Sequence, residues 1–205
     1  MTLAKASIRS LLAAVSFGVA CLSAGPIHAV PITYIDSGTG SGSIGDQSFT
    51  GSLVTVTFVG DTANVTGGPT FFSNAIGTAT VDIAGIGTAT FTAPTIQAFV
   101  NQTFGPAFAG IGDSAQGSIL DTGNEAAFST YDLTTAIGPI LGVPFIRPDL
   151  SFATNLGLFN LQTMGDTTFT AITGAAPAPE PNSVLLLGII ALGTLLIRAR
   201  LRKGH

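Results

Sequence analysis

Apolar and polar residues alternate with a period of two through much of the middle of this chain. In Thr78-Ala79-Thr80-Val81-Asp82-Ile83, the residues Ala79, Val81 and Ile83 share one face. In Thr88-Ala89-Thr90-Phe91-Thr92-Ala93, Ala89, Phe91 and Ala93 do the same. Successive side chains of an extended strand point to opposite faces, so this period predicts half-buried strands. The tight segment Ala84-Gly85-Ile86-Gly87 joins the two runs, and 78–93 is predicted to be a hairpin. Further strands are expected at Ser52–Val59, Gln97–Val100, Ala126–Thr134, Phe152–Leu161 and Thr167–Thr173. Gly60-Asp61-Thr62 and Asp121-Thr122-Gly123-Asn124 are the expected turns between them. The string Gly-Thr-Ala-Thr at Gly77 recurs at Gly87, without a third copy, which reads as two matching strands and not as a solenoid.

The alternation stops at both ends. Lys5 and Arg9 precede an uncharged, largely apolar run, Leu11 to Leu22. That run is shorter than the ~20 residues a membrane span needs. With Ile27-His28-Ala29 after it, residues 1–29 read as a secretory signal peptide cleaved after Ala29, with Ala24 as the alternative bond. Lipid attachment at Cys21 is disfavoured, because Gly18-Val19-Ala20 lacks the expected leucine. At the other end, 175–183 is a Pro-rich linker that resists helix formation. Residues 184–197 are uncharged and largely apolar, and 198–205 form a basic tail. Fourteen helical residues span ~21 Å, short of the ~30 Å hydrocarbon core. The segment nevertheless has no polar face, and Arg198, Arg200, Arg202 and Lys203 follow it at once. Those features predict a short transmembrane helix stopped by a cytoplasmic cationic cluster whose long side chains reach the interface.

Pro179-Glu180-Pro181, the short apolar helix containing Gly188 and Gly193, and the Arg-rich end together resemble the PEP-CTERM sorting signal. The resemblance covers about the last 27 residues. It implies export, temporary membrane anchoring through the C-terminal helix, and processing by an exosortase-type membrane enzyme at a motif formed by Pro179, Glu180 and Pro181. The expected destination is then the cell surface or the extracellular matrix of an exopolysaccharide-producing bacterium. The expected partners are the export machinery, the exosortase, the membrane and the exopolysaccharide.

Composition sharpens the picture of the middle. Only 9% of residues are charged, against roughly 25% in an ordinary soluble domain. The stretch 30–174 holds ten acids and one cation, Arg147, so its net charge is −9, while the basic residues collect at the ends. An acidic domain of this kind is not a nucleic-acid binder. The same stretch carries 21 Gly, 25 Thr and 13 of the 14 Phe, enough for a strand-and-turn structure around one core. The expected fold is all-β: a single antiparallel β-sandwich or flattened barrel over 30–174, flanked by the N-terminal signal helix and the C-terminal transmembrane helix.

Absences narrow the chemistry. Cys21 is the only cysteine, and both histidines, His28 and His205, lie in the terminal segments. The domain therefore has no thiol, no disulfide, no imidazole nucleophile relay and no ordinary zinc site. No cofactor, no metal and no catalytic residue is assigned, and the protein is read as a non-enzyme. One pair stands against that reading. Ile35-Asp36-Ser37-Gly38 and Leu120-Asp121-Thr122-Gly123 both resemble the catalytic loops of aspartic proteases, where two carboxylates share a proton. Asp121-Thr122-Gly123-Asn124-Glu125 also offers oxygen ligands to Ca²⁺ without the EF-hand pattern. Arg147 is expected either to pair with a nearby acid or to orient a carboxylated ligand. The resulting expectation is a structural or adhesive surface protein. A carbohydrate-binding module is the first alternative and an aspartic-type hydrolase the second. Against sugar binding stands the lack of Trp and the presence of only two tyrosines, Tyr34 and Tyr131.

Overall fold

The computed structural model describes residues 29–174 apart from Phe104. The chain forms β1 (Pro31–Ile44), β2 (Gln47–Asp61), β3 (Val65–Gly67), β4 (Phe71–Asn74), β5 (Gly77–Ile83) and β6 (Gly87–Thr90). It continues as β7 (Ile96–Asn101), β8 (Phe108–Asp113), β9 (Gly117–Gly123), one helical turn α1 (Glu125–Phe128), β10 (Ile137–Gly142), β11 (Phe152–Thr154) and β12 (Gly157–Thr173). All pairings are antiparallel. One sheet runs β10-β12-β1-β2-β5-β6, with β11 on β12, and the other runs β3-β4-β7-β8-β9. Neither sheet closes on itself, so the arrangement is open and sandwich-like, and the flattened-barrel option is not the one formed. No helix among the described residues is long and apolar enough to cross a membrane. Of the expected signal peptide 1–29 only Ala29 is described, and the expected linker 175–183, transmembrane helix 184–197 and basic tail 198–205 lie outside the described residues.

The predicted alternation is realised as rows across the larger sheet. Phe169, Asp36, Val56, Val81 and Ala89 are successive register partners on the inner face, and Ala171, Tyr34, Phe58 and Ala79 form the next inner row. On the outer face, Thr170, Ile35, Thr57, Thr80 and Thr90 run between these two rows, and Thr168, Ser37, Thr55, Asp82 and Thr88 run beside the first. The inner rows meet Ala98, Val100, Ala109, Ile111 and Leu120 of the smaller sheet in one core. The threonines stay half-buried or exposed outside, where β-branched side chains suit a pleated surface.

The hairpin of β5 and β6 and the strands near 52–59 and 97–100 form as expected, the latter two longer than predicted. Phe152–Leu161, by contrast, is not one strand: the chain reverses at Asn155-Leu156 between β11 and β12, and Thr167–Thr173 is the end of the same long β12. The Gly/Ser-rich stretch after Ile35, to which the sequence assigned no element, belongs to a 14-residue strand, β1, packed between β2 and β12. Glycine is required there by close approach: a Cβ at Gly40 would lie 2.6 Å from the Thr163 carbonyl of β12. Two further assignments also change. Asp121-Thr122-Gly123 is no turn but the end of β9. Ala126–Thr134 is no strand. Asn124 caps α1, accepting from the Ala127 N–H at 3.2 Å, and the chain then turns so that Phe128, Tyr131 and Leu133 all enter the core.

Candidate functional site

Two polar features stand out from this framework, one inside the core and one on the outer face of the smaller sheet. Strand alternation separates them. On β9, Leu120 and Thr122 point inward, while Asp121 between them points outward.

The inner feature surrounds Asp36, which is fully buried in an otherwise apolar row beside Phe169 and Val56. Its Oδ1 lies 3.0 Å from Thr122 Oγ1. Thr122 Oγ1 lies 2.8 Å from Thr167 Oγ1, and Thr167 Oγ1 lies 3.0 Å from the Asp121 carbonyl. A hydroxyl owns one proton. Thr167 donates to the carbonyl and Thr122 donates to Thr167, which uses both hydroxyl protons. The remaining contact is satisfied when Asp36 itself carries a proton and donates it to Thr122. Burial pushes the Asp36 carboxyl well above its ordinary value and the neighbouring Asp121 raises it further, which outweighs the stabilisation that a Thr122 hydroxyl turned toward Asp36 would give the charged form. Among the described residues, Asp36 Oδ2 has no hydrogen-bond partner. A neutral acid tolerates that position far better than a carboxylate does.

The outer feature begins at Asp121. Its Oδ1 accepts from the Phe145 N–H at 2.7 Å and its Oδ2 from the Ser118 hydroxyl at 2.8 Å. Burial raises its carboxyl to about 7, although both hydrogen bonds favour the charged form. The Gly123 N–H donates to the Val143 carbonyl at 2.8 Å, so the segment 143–145 is tied across the end of β9. Beneath it opens a cavity of about 450 Å³ walled by Pro106, Phe108, Val143, Pro144 and Phe145, with Asp121 at its edge. A second hollow of about 270 Å³ continues over Phe99, Phe71 and Gly112. Outward-pointing Gln97, Phe99 and Asn101 come from β7, and Phe108, Gly110 and Gly112 from β8. Phe99 is 7% exposed yet stands apart from the inter-sheet core, covered by Phe71 and Phe108.

The sequence-predicted residues distribute as follows. Ala29 is exposed, two residues before β1. Pro179, Glu180 and Pro181 of the sorting motif and Arg198, Arg200, Arg202 and Lys203 of the basic stop lie outside the described residues. Asp36 and Asp121 come close, but on opposite sides of β9; Thr122 and Thr167 connect them, and no hydrogen bond joins carboxyl to carboxyl. The shared-proton geometry of an aspartic dyad is not formed. The acids offered for Ca²⁺ are occupied separately: Asp121 by Phe145 and Ser118, Glu125 by the Ala107 N–H at 2.5 Å. Among the described residues, no group of three or more His, Cys, Asp or Glu side chains is placed to hold a metal. Arg147 makes a two-pronged pair with Asp149 at 3.1 and 2.9 Å, which raises the guanidinium and lowers the carboxyl. Tyr34 and Tyr131, the two tyrosines considered as sugar platforms, are core residues. The phenylalanines of the outer face were missed as site residues because their roles depend on which side of β4, β7 and β8 they occupy.

No known family matches the chain, and no characterised protein or solved structure is similar enough to match it.

Proposed function

We propose that this is an exported surface or matrix protein whose β module, a single sandwich, is structural and adhesive. In this reading residues 1–29 direct export. The C-terminal helix holds the precursor in the membrane, and an exosortase-type enzyme cuts at the Pro179-Glu180-Pro181 motif. The reading assigns no catalytic step to the module.

The supporting observation is how the described chain begins and ends. The first and last strands are neighbours: Ile32 pairs with Thr173, and the Gly174 N–H donates to the Pro31 carbonyl at 2.7 Å. Pairing therefore runs from Pro31 to Gly174, and both proposed processing points lie outside it. Cutting at either would remove no strand of the module. The acidic composition favours solubility once the anchor is gone.

Mass spectrometry of the mature protein from its native cells tests this. The expected polypeptide begins at Val30 and ends at or near Pro179–Pro181. A chain still carrying both Met1 and His205 would overturn the reading.

A further inference from the structure

The two hollows on the outer face of the smaller sheet adjoin at Phe108 and Phe145, which line both, and together they are taken as one trough. The trough crosses β4, β7, β8 and β9, ~14 Å at ordinary strand spacing. Glycine keeps its floor low. A Cβ at Gly112 would lie 3.0 Å from the Phe99 ring, and one at Gly110 would lie 2.5 Å from Asp121 Cβ. Its walls are aromatic. Phe71 stacks on Phe99 with centroids 6.3 Å apart, and Phe108 meets Phe99 edge-on at 5.8 Å. Phe71 remains 38% and Phe145 60% exposed. Polar side chains are interleaved with these rings: Gln97 and Asn101 from β7, Ser118 from β9, and Arg147 beyond Phe145.

We propose that this trough binds a neutral polysaccharide chain. The rings cover the apolar C–H faces of successive sugars, and the interleaved amides and hydroxyl meet the sugar hydroxyls. The inference rests on the adhesive reading and gives it a contact surface and a ligand class.

Charge argues for a neutral chain. The module has a formal charge of −9 with every acid ionised, still strongly negative when Asp36 and Asp121 hold protons, and its one cation, Arg147, is already paired with Asp149 at 2.9 Å. A polyanion would meet repulsion without an available counter-charge. Topology argues against a peptide strand. Such a strand needs an unpaired sheet edge for its amides, whereas most of this trough lies over β7 and β8, whose backbones are paired on both sides; β9 is the sheet edge, bridged at its end by Gly123 and Val143. A wholly apolar partner would bury the interleaved amides without hydrogen bonds, which costs about 1–3 kcal/mol for each buried group. Sugars supply both kinds of surface.

The test is isothermal titration of the full-length chain in detergent with neutral hexasaccharides (cellohexaose, laminarihexaose, isomaltohexaose) and with hexagalacturonate. At least one neutral hexasaccharide is expected to bind, and hexagalacturonate is not. The F71A/F145A double variant should bind about tenfold more weakly or worse, as expected for lost aromatic anchors, with an unchanged melting temperature. Should that variant melt early, F145A alone and Q97A carry the comparison, with the same expected weakening. Absence of binding by all three neutral hexasaccharides overturns the proposal. So does preferential binding of hexagalacturonate, or unchanged affinity in folded variants. A correctly trimmed mature protein that binds no glycan defeats this inference alone. A glycan-binding protein with its termini intact defeats the sorting reading alone.

Discussion

Asp36 and Asp121 share a sequence motif and are both buried, but their carboxyls meet different partners. Asp36 faces apolar neighbours and the Thr122–Thr167 hydroxyl chain, and its own proton completes that chain. Asp121 faces the trough side and is held by the Phe145 N–H and the Ser118 hydroxyl. Both carboxyls are raised from an ordinary value of 3.8, so the folded chain keeps protons that the unfolded chain has released. Above pH 3.8, stability therefore falls as pH rises, by ~1.4 kcal/mol per unit for each group while that group remains protonated in the fold. For Asp121 the loss levels off near pH 7, and for Asp36 it continues to that group's own raised value. Asp149, lowered by Arg147, acts in the opposite sense but is exposed and screened. Melting temperatures should accordingly be higher at pH 4 than at pH 7, and Asp36→Asn should flatten that slope. A melting temperature that rises from pH 4 to pH 7 would contradict the assignment of protonated acids. Thr122→Val removes the central hydroxyl at nearly constant volume and leaves Asp36 Oδ1 without its partner. It should cost about 1–3 kcal/mol, measurable by urea unfolding at pH 5.

At the scale of elements, the segment from α1 to β10 seals one part of the core. The Tyr34 hydroxyl donates to the Leu133 carbonyl at 2.7 Å, and burial raises that hydroxyl to about 12. Leu133 is held at φ 67°, an unfavourable conformation for a leucine, and is fully buried. Phe128 and Tyr131 pack against Phe169 with centroids at 5.5 and 6.2 Å. Tyr34→Phe keeps the ring packing and removes the tie. The expected loss is about 1 kcal/mol, with faster amide hydrogen exchange concentrated over 129–136; uniform exchange changes would show that the tie is not local. The loop after β10 presents the contrary case. Arg147 is exposed and bonded to an exposed acid two residues away, and such pairs contribute ~0–1 kcal/mol. Arg147→Met should leave the thermal midpoint within about 2 °C of the parent. A collapse of the fold would assign Arg147 a structural role that its surroundings do not support.

At the scale of the whole molecule, the first and last strands are paired neighbours within the larger sheet, and the β10–β12–β1–β2 order brings distant parts of the sequence together. The inter-sheet core draws on nearly every strand, so its stability depends on the assembled unit. A fragment comprising 30–174 should therefore fold cooperatively, with the same melting temperature as the full-length chain in detergent. Calorimetry on both checks this, and a markedly lower midpoint for the fragment would show that the terminal segments support the module.

Much of this was legible from residues alone. Alternation in 78–93 depends only on the opposite facing of neighbouring side chains, so the β5–β6 hairpin and its Ala79, Val81 and Ile83 face could be read locally. The threonine-rich outer face, the all-β class and the acidic middle followed from residue type and order. Local reading failed where long-range contacts overrode it. Asp121-Thr122-Gly123 has turn composition, yet β8 supplies the pairing and Asp36 and Thr167 supply partners for Thr122. The glycines of β1 look like spacer residues until β12 presses against them. The trough was equally hidden, because Phe71, Phe99 and Phe108 read as core residues on hydrophobicity. The order of residues determined which side chains share a strand face. Only the tertiary structure decided which faces lie between the sheets and which form the trough, because burial is a property of the packed partner surface and not of the strand that presents it.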